Sequence, residues 1–125
     1  IYFRKRLMFP IVSLSGRTIA FGARSLSKSV EPKYLNSVES PIFKKRRTFF
    51  GINHAREAVR NRKAAILVEG YTDCIALHQA GFTNCMATCG TALTEEHARV
   101  LRRLTSAAVL LPDGDAAGLS GAVAA

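Results

Sequence analysis

Three strand-sized apolar runs stand in the second half of the chain, at residues 64–68, 85–88 and 107–111, and each gives way within a few residues to a glycine: Gly70, Gly90 or Gly114. Continuous apolar runs of this length suit strands covered on both faces. Between them lie two helix-length segments. Residues 72–80 are stopped by Gly81, placed as the residue just past a helix end. Thr94 is placed to cap a second helix, with Glu95 and Glu96 in its first turn and Arg99, Arg102 and Arg103 at its end, which matches the helix dipole at both termini. Strand and helix in alternation predict an α/β domain, a Rossmann-like parallel sheet with right-handed crossovers and flanking helices, ending in a last helical stretch.

The first half reads differently. Residues 9–12 and 18–21 are short apolar runs around a Ser-Gly turn, which predicts a β-hairpin. Residues 23–47 show no clean period and carry Pro32 and Pro41, as a long surface connection does. Asn53 is a candidate cap for a helix reaching about residue 62, with Ala55, Ala58 and Val59 on one face. The composition shifts at Lys63, which divides a basic α+β part, residues 1–63, from the α/β part, residues 64–125.

Charge sharpens that division. Residues 1–63 hold 15 lysines and arginines against 3 acids, a net +12, whereas residues 64–125 hold 3 against 6, a net −3. This asymmetry is expected where one part holds polyanions and another holds cations. Hydrophobic residues make up 48% of the 125, enough for a real core, so wholesale disorder is excluded. No apolar run approaches the roughly 20 residues needed to cross a bilayer, which predicts no membrane partner. No secretory leader is expected from the opening residues. Cys74, Cys85 and Cys89 are odd in number and contain no CxxC pair, which disfavours a disulfide framework and fits a reducing cytoplasm. The chain opens on Ile1 and stops in an alanine-rich stretch, so it reads as a fragment.

Carboxylates mark the candidate chemistry. Glu69 follows the first strand run, and Asp113 and Asp115 follow the third. In an open parallel sheet, ligands gather beyond the carboxyl ends of the strands. Acids brought together there repel unless a cation lies between them, and hard oxygen donors on short turns suit magnesium. A purely structural Asp-Gly-Asp turn and a helix-initiating Glu69 would give the same pattern. Neither GxxxxGK[ST] nor GxGxxG is present. Cys85, Cys89 and His97 are poorly spaced for zinc and read as core or surface residues. In the basic half, rings alternate with cations: Tyr2 and Phe3 beside Arg4 and Arg6, Tyr34 beside Lys33, Phe43 before the 44–47 basic run, then Phe49. That interleaving suits single-stranded nucleic acid, although Phe9, Phe21 and Phe49 read as core.

EGYTD at 69–73, CGTALT at 89–94 and DGDAAG at 113–118 resemble the Toprim domain of primases, topoisomerases and some nucleases. FRKRLMFPI at 3–11, GRTIAFGAR at 16–24, PKYLNS at 32–37 and IFKKRRTFFG at 42–51 are similar, in order, to the RNA-polymerase core of DnaG-type bacterial DNA primases. The resemblance covers nearly the whole chain and implies a truncated Toprim domain behind a basic subdomain. It implies synthesis of short RNA primers on a single-stranded DNA template from ribonucleoside triphosphates, in the cytoplasm at the replisome. Glu69, Asp113 and Asp115 would be catalytic and would face Mg²⁺ or Mn²⁺, with Asp73 contributing. Arg4, Arg6, Lys33, Asn36 and Lys45 would line the nucleotide and template side. The family's zinc-binding domain, its helicase-binding domain and the later acidic motif of Toprim fall outside these residues, so little activity is expected of this piece alone. Departures from the family pattern fall at Ala23, where the family usually has a second glycine, and at Pro112 and Ala116. Rival readings are another Toprim protein, either a topoisomerase or a nuclease, and a non-catalytic nucleic-acid-binding module. Tyr71 lies inside the Toprim motif and is poorly suited to be a topoisomerase nucleophile.

Overall fold

The computed structural model describes residues 2–113. Asp115, together with Gly114, Ala116 and the expected last helix, lies outside the described residues. The order of elements is β1 (Arg6–Val12), β2 (Thr18–Ser25), β3 (Tyr34–Asn36), a 3-10 turn (Lys45–Arg47), β4 (Phe49–Phe50), α1 (Ile52–Arg62), β5 (Ala65–Val68), α2 (Tyr71–Gln79), β6 (Cys85–Thr88), α3 (Glu95–Arg102) and β7 (Ala108–Leu110).

The expected hairpin is present but longer, and a third strand extends it into an antiparallel sheet of order β1-β2-β3. β3 falls inside the stretch expected to be a plain connection. A strand of three residues is too short to show a period. Along the hairpin the faces alternate. Phe9 and Ile11 on β1 and Ala20 on β2 turn inward, whereas Phe21, opposite Pro10, points outward at 39% exposure. Assigning Phe21 to the core is therefore corrected by strand parity. Helix α1 begins two residues earlier than expected. Gly51 takes the cap position with a left-handed φ of 84°, and Asn53 lies inside the helix.

The second sheet has the order β4-β6-β5-β7. β5 pairs in parallel with both β6 and β7, as the alternation predicted. β4, from the first half of the chain, adds an antiparallel edge next to β6. Each residue of β6 is buried. Met86 joins Phe49, Ile52, Ala55, Val59, Leu67 and Leu101 between the sheet and helices α1 and α3. Cys85 and Ala87 meet Val68 and Cys74 on the α2 side. A third cluster of Phe9, Ile11, Ala20, Phe43, Tyr71 and Cys89 joins the two sheets. Phe43, a ring read as interleaved with the basic run, is thus in the core along with Phe49. β7 was expected to be buried, yet it is exposed at all three of its residues, because it is the outer strand of the described sheet.

Helix ends follow the local sequence. α2 closes with Gly81 at φ 94°, its N–H donating to the His78 carbonyl at 3.1 Å, while Phe82 N–H reaches the Leu77 carbonyl at 2.9 Å. Thr94 caps α3 by accepting the His97 N–H at 3.1 Å, and the His97 ring returns the favour by accepting the Thr94 N–H at Nδ1 at 3.2 Å. His97 Nε2 lies 3.1 Å from the Thr48 carbonyl, to which it donates. The ring is fully buried and uncharged, and burial lowers its pKa below the ordinary 6.5.

A pH effect on stability follows. Below about pH 6.5 the unfolded chain binds a proton at this histidine that the folded chain refuses. The contribution is therefore complete above that pH and is lost as pH falls, at up to about 1.4 kcal/mol per pH unit. Thermal melts taken downward from pH 7.5 should show the decline. His97→Gln, which retains a capping-box residue at this position, should flatten it. Equal slopes in the two proteins would contradict the assignment.

Candidate active site

β5 is central among the parallel strands. The chain passes from it to β6 on one side and then to β7 on the other. The carboxyl ends of β5 and β7 thus bound a topological switch point, where open α/β sheets bind ligands. Glu69 directly follows the last residue of β5, and it is exposed. Leu67 pairs with Leu110, and the Leu111 N–H donates to the Leu67 carbonyl at 2.9 Å, carrying β7 out alongside β5. Pro112 has no N–H, so the ladder stops there and Asp113 emerges exposed. Asp73, in the first turn of α2, folds back over Gly70. A Cβ on Gly70 would meet its Oδ2 at 2.8 Å. Glu69, Asp73 and Asp113 are all carboxylates, and all are exposed. Such donors suit a hard divalent cation that completes its shell with water and phosphate oxygens. Among the described residues no three metal-ligating side chains form a closed set.

The first sheet supplies the positive side. Tyr34 is 44% exposed on β3, with the Arg24 guanidinium carbon 5.9 Å and the Lys33 ammonium 5.7 Å from its ring centroid. An open depression of about 390 Å³ lies beside it, with Arg24, Lys28 and Lys33 among its walls. Arg4 is exposed near the start of the chain, and Lys45 is half-buried at the head of the 3-10 turn, where its backbone N–H donates to Glu39 at 3.0 Å. Arg6 is occupied differently. Its Nη1 donates to the Pro32 carbonyl at 2.6 Å and the Lys33 carbonyl at 3.5 Å, so it braces the segment leading into β3. Arg24 was not singled out from sequence. Its strand partnership with Tyr34 becomes visible only once β3 is known.

Asn36 stands where the two sheets meet. Its Oδ1 accepts the Tyr71 hydroxyl at 2.6 Å, and its Nδ2 donates to the Cys89 carbonyl at 3.2 Å. Its own carbonyl accepts the Tyr2 hydroxyl at 2.9 Å. Tyr71 is 5% exposed, stacked on Phe9 at 5.4 Å and edge-on to Phe50 at 4.8 Å. Burial pushes its pKa well above that of an ordinary phenol. A tyrosine so enclosed does not attack a phosphodiester. The cysteines have packing roles. Cys85 faces α2 and Cys89 faces the first sheet, where burial pushes its thiol up to about 11.

Comparison with known proteins agrees with this arrangement. Residues 63–125 match the Toprim domain family, and residues 1–56 match the family described as the DNA primase catalytic core, N-terminal domain. The DNA primase of Listeria monocytogenes is 47% identical over 120 residues, which cover 96% of this chain and 19% of that protein. A DNA primase domain from Pseudomonas aeruginosa superposes with a TM-score of 0.91 at 47% identity, covering 97% of this chain and 37% of that one. A DnaG primase catalytic domain bound to single-stranded DNA superposes with a TM-score of 0.88 at 41% identity, covering 98% and 38%. The chain belongs to the Toprim family and, within it, to the DnaG-type primase catalytic cores. It spans about a fifth of the length of the curated relatives it matches, 19% in the Listeria protein.

Proposed function

We propose that this chain carries the central part of a DNA primase, which in a polypeptide of its relatives' length joins ribonucleoside triphosphates into short RNA primers on single-stranded DNA. The observation that carries this reading is the placement of Glu69 and Asp113 at one switch point, on a sheet fastened to a second sheet that displays Tyr34 between Arg24 and Lys33. The solved relative bound to single-stranded DNA supports the choice of template.

Labour is divided between residues 64–125 and residues 1–63. Glu69 and Asp113, with Asp115 and Asp73, would hold magnesium, or manganese in its place. When bound, such a cation neutralises the triphosphate and favours ionisation of the attacking hydroxyl. Arg4, Lys33 and Lys45 attract and orient phosphates, and Tyr34 offers a ring for a base. Asn36 lies at the seam from which both groups are reached. Arg6 holds the loop that carries Lys33 in place. The replicative helicase is reached through a domain outside this chain, and the place of action is the nucleoid. Among the described residues no helix is long and apolar enough to cross a membrane.

The test is template-directed dinucleotide synthesis by the polypeptide extended to its relatives' length. Synthesis that requires both template and divalent metal is expected. Binding to single-stranded DNA without synthesis would instead identify a binding module. In the same polypeptide, Lys33→Ala with Lys45→Ala should weaken oligonucleotide binding at low salt and make the dependence of log affinity on log salt shallower by about 1 to 2. Unchanged binding at every salt concentration would put the template elsewhere.

A further inference from the structure

We propose that Tyr71 is a positioning residue whose hydroxyl, through Asn36, fixes the basic strand β3 relative to the carboxylate turn at Glu69; this rests on the primase reading above. Tyr71 lies two residues from Glu69 and two from Asp73, so it shares their turn and the first turn of α2. Its side chain points away from that edge into the seam between the sheets. There the hydroxyl donates to Asn36 Oδ1 at 2.6 Å, and Asn36 Nδ2 donates to Cys89, which follows β6, at 3.2 Å. One amide therefore ties together the ends of β5 and β6 and the strand that bears Tyr34.

The fit around this link leaves no slack. A Cβ on Gly22 would meet the Tyr71 ring at 2.4 Å, and a Cβ on Gly90 would meet Asn36 Nδ2 at 2.7 Å. Phe9 and Phe50 close two other sides of the ring. A phenylalanine at 71 would preserve all of this packing and remove only the hydrogen bond. The hydroxyl is not needed to fill space, and burying it is worthwhile only when it is paired. Positioning of this kind matters because misplacement on the order of 1 Å costs about 100-fold in a reaction between oriented groups.

The test uses the polypeptide carried to its relatives' full length, with asparagine and glycine labelled by ¹⁵N. Tyr71→Phe should lower kcat for dinucleotide synthesis about 10-fold while KM for the triphosphate and oligonucleotide affinity change by less than about twofold. Asn36→Ala should lower kcat at least as far, and the double variant should be no slower than Asn36→Ala alone. Independently of turnover, Mn²⁺-induced relaxation of the Asn36 side-chain amide, divided by that of the Gly70 amide, should change at least about twofold in Tyr71→Phe, since the effect falls with the sixth power of distance and one end of the tether is cut. An unchanged kcat with an unchanged relaxation ratio would overturn the proposal, as would a kcat loss matched by an equal loss of substrate binding. A parent that makes no dinucleotide but shows the relaxation change would sink the primase reading and leave the tether standing.

Discussion

Asp113→Asn is expected to lower template-directed dinucleotide synthesis by about 100- to 1,000-fold while oligonucleotide binding is kept or rises. Asparagine preserves the shape and much of the hydrogen bonding of aspartate, so the local backbone at this position is retained. What it removes is one negative charge at a switch point whose other described acids are Glu69 and Asp73. A divalent cation is held there less firmly, and the triphosphate loses its neutralising partner. Template phosphates, by contrast, lose a repelling neighbour. Lys33→Ala should do the reverse, weakening triphosphate or template engagement and leaving metal affinity alone. The measurement is single-turnover synthesis at saturating manganese, with binding followed separately. Near-parental synthesis by a folded Asp113→Asn protein would remove Asp113 from the metal seat.

Gly22→Ala should destabilise the fold by about 3 kcal/mol, at the upper end of what overpacking a core costs. The new methyl would lie 2.4 Å from a ring carbon of Tyr71 and 2.8 Å from its hydroxyl oxygen. That ring cannot retreat, because Phe9 stacks on it, Phe50 packs against it in a T-shaped contact and Asn36 holds its end. Urea denaturation should show a lower midpoint with an unchanged slope. Removing the ring with Tyr71→Leu should make the same glycine change much cheaper, a coupling between neighbours in contact. A shift of less than about 0.5 kcal/mol in the single variant would show that the seam is looser than described.

Gly22 also shows how much could be read from sequence. The family's usual glycine pair appears here as Gly22-Ala23, and the structure shows why one member yields and the other does not. Gly22 faces Tyr71, whereas Ala23 lies on the opposite face of β2, paired with Met8 and Leu35. The parallel strands and their helices were legible because apolar runs, capping residues and stop glycines agreed with one another. β6 (Cys85–Thr88) has the bounds read from sequence. Less was legible where the structure depends on long-range pairing. β3 and β4 have three and two residues, too few for periodicity, and they exist because β2 and β6 offer them a partner. Exposure of β7 depends on its place in the sheet, which an apolar run does not disclose.

Glu69 and Asp113 could be proposed as site carboxylates because they stand just past strand-sized apolar runs, a local pattern, whereas Asp73, in the first turn of α2, is implied only by the motif resemblance. The way the basic residues are used could not be read locally. Arg6 and Asn36 look alike in sequence as polar residues among cations. Yet one braces the Pro32 and Lys33 carbonyls and the other joins two sheets across 35 and 53 residues of sequence. Such roles emerge only from tertiary contacts. Arg24, facing Tyr34, was hidden for the same reason.

The most direct measurement is a manganese titration of this chain followed by paramagnetic line broadening. If the carboxylates at the ends of β5 and β7 form the metal seat, broadening begins at Gly70 and Asp113, spreads to Asp73, and weakens in Glu69→Gln. Broadening confined to Glu95 and Glu96, at the exposed start of α3, would place the ion on a helix terminus and contradict the account.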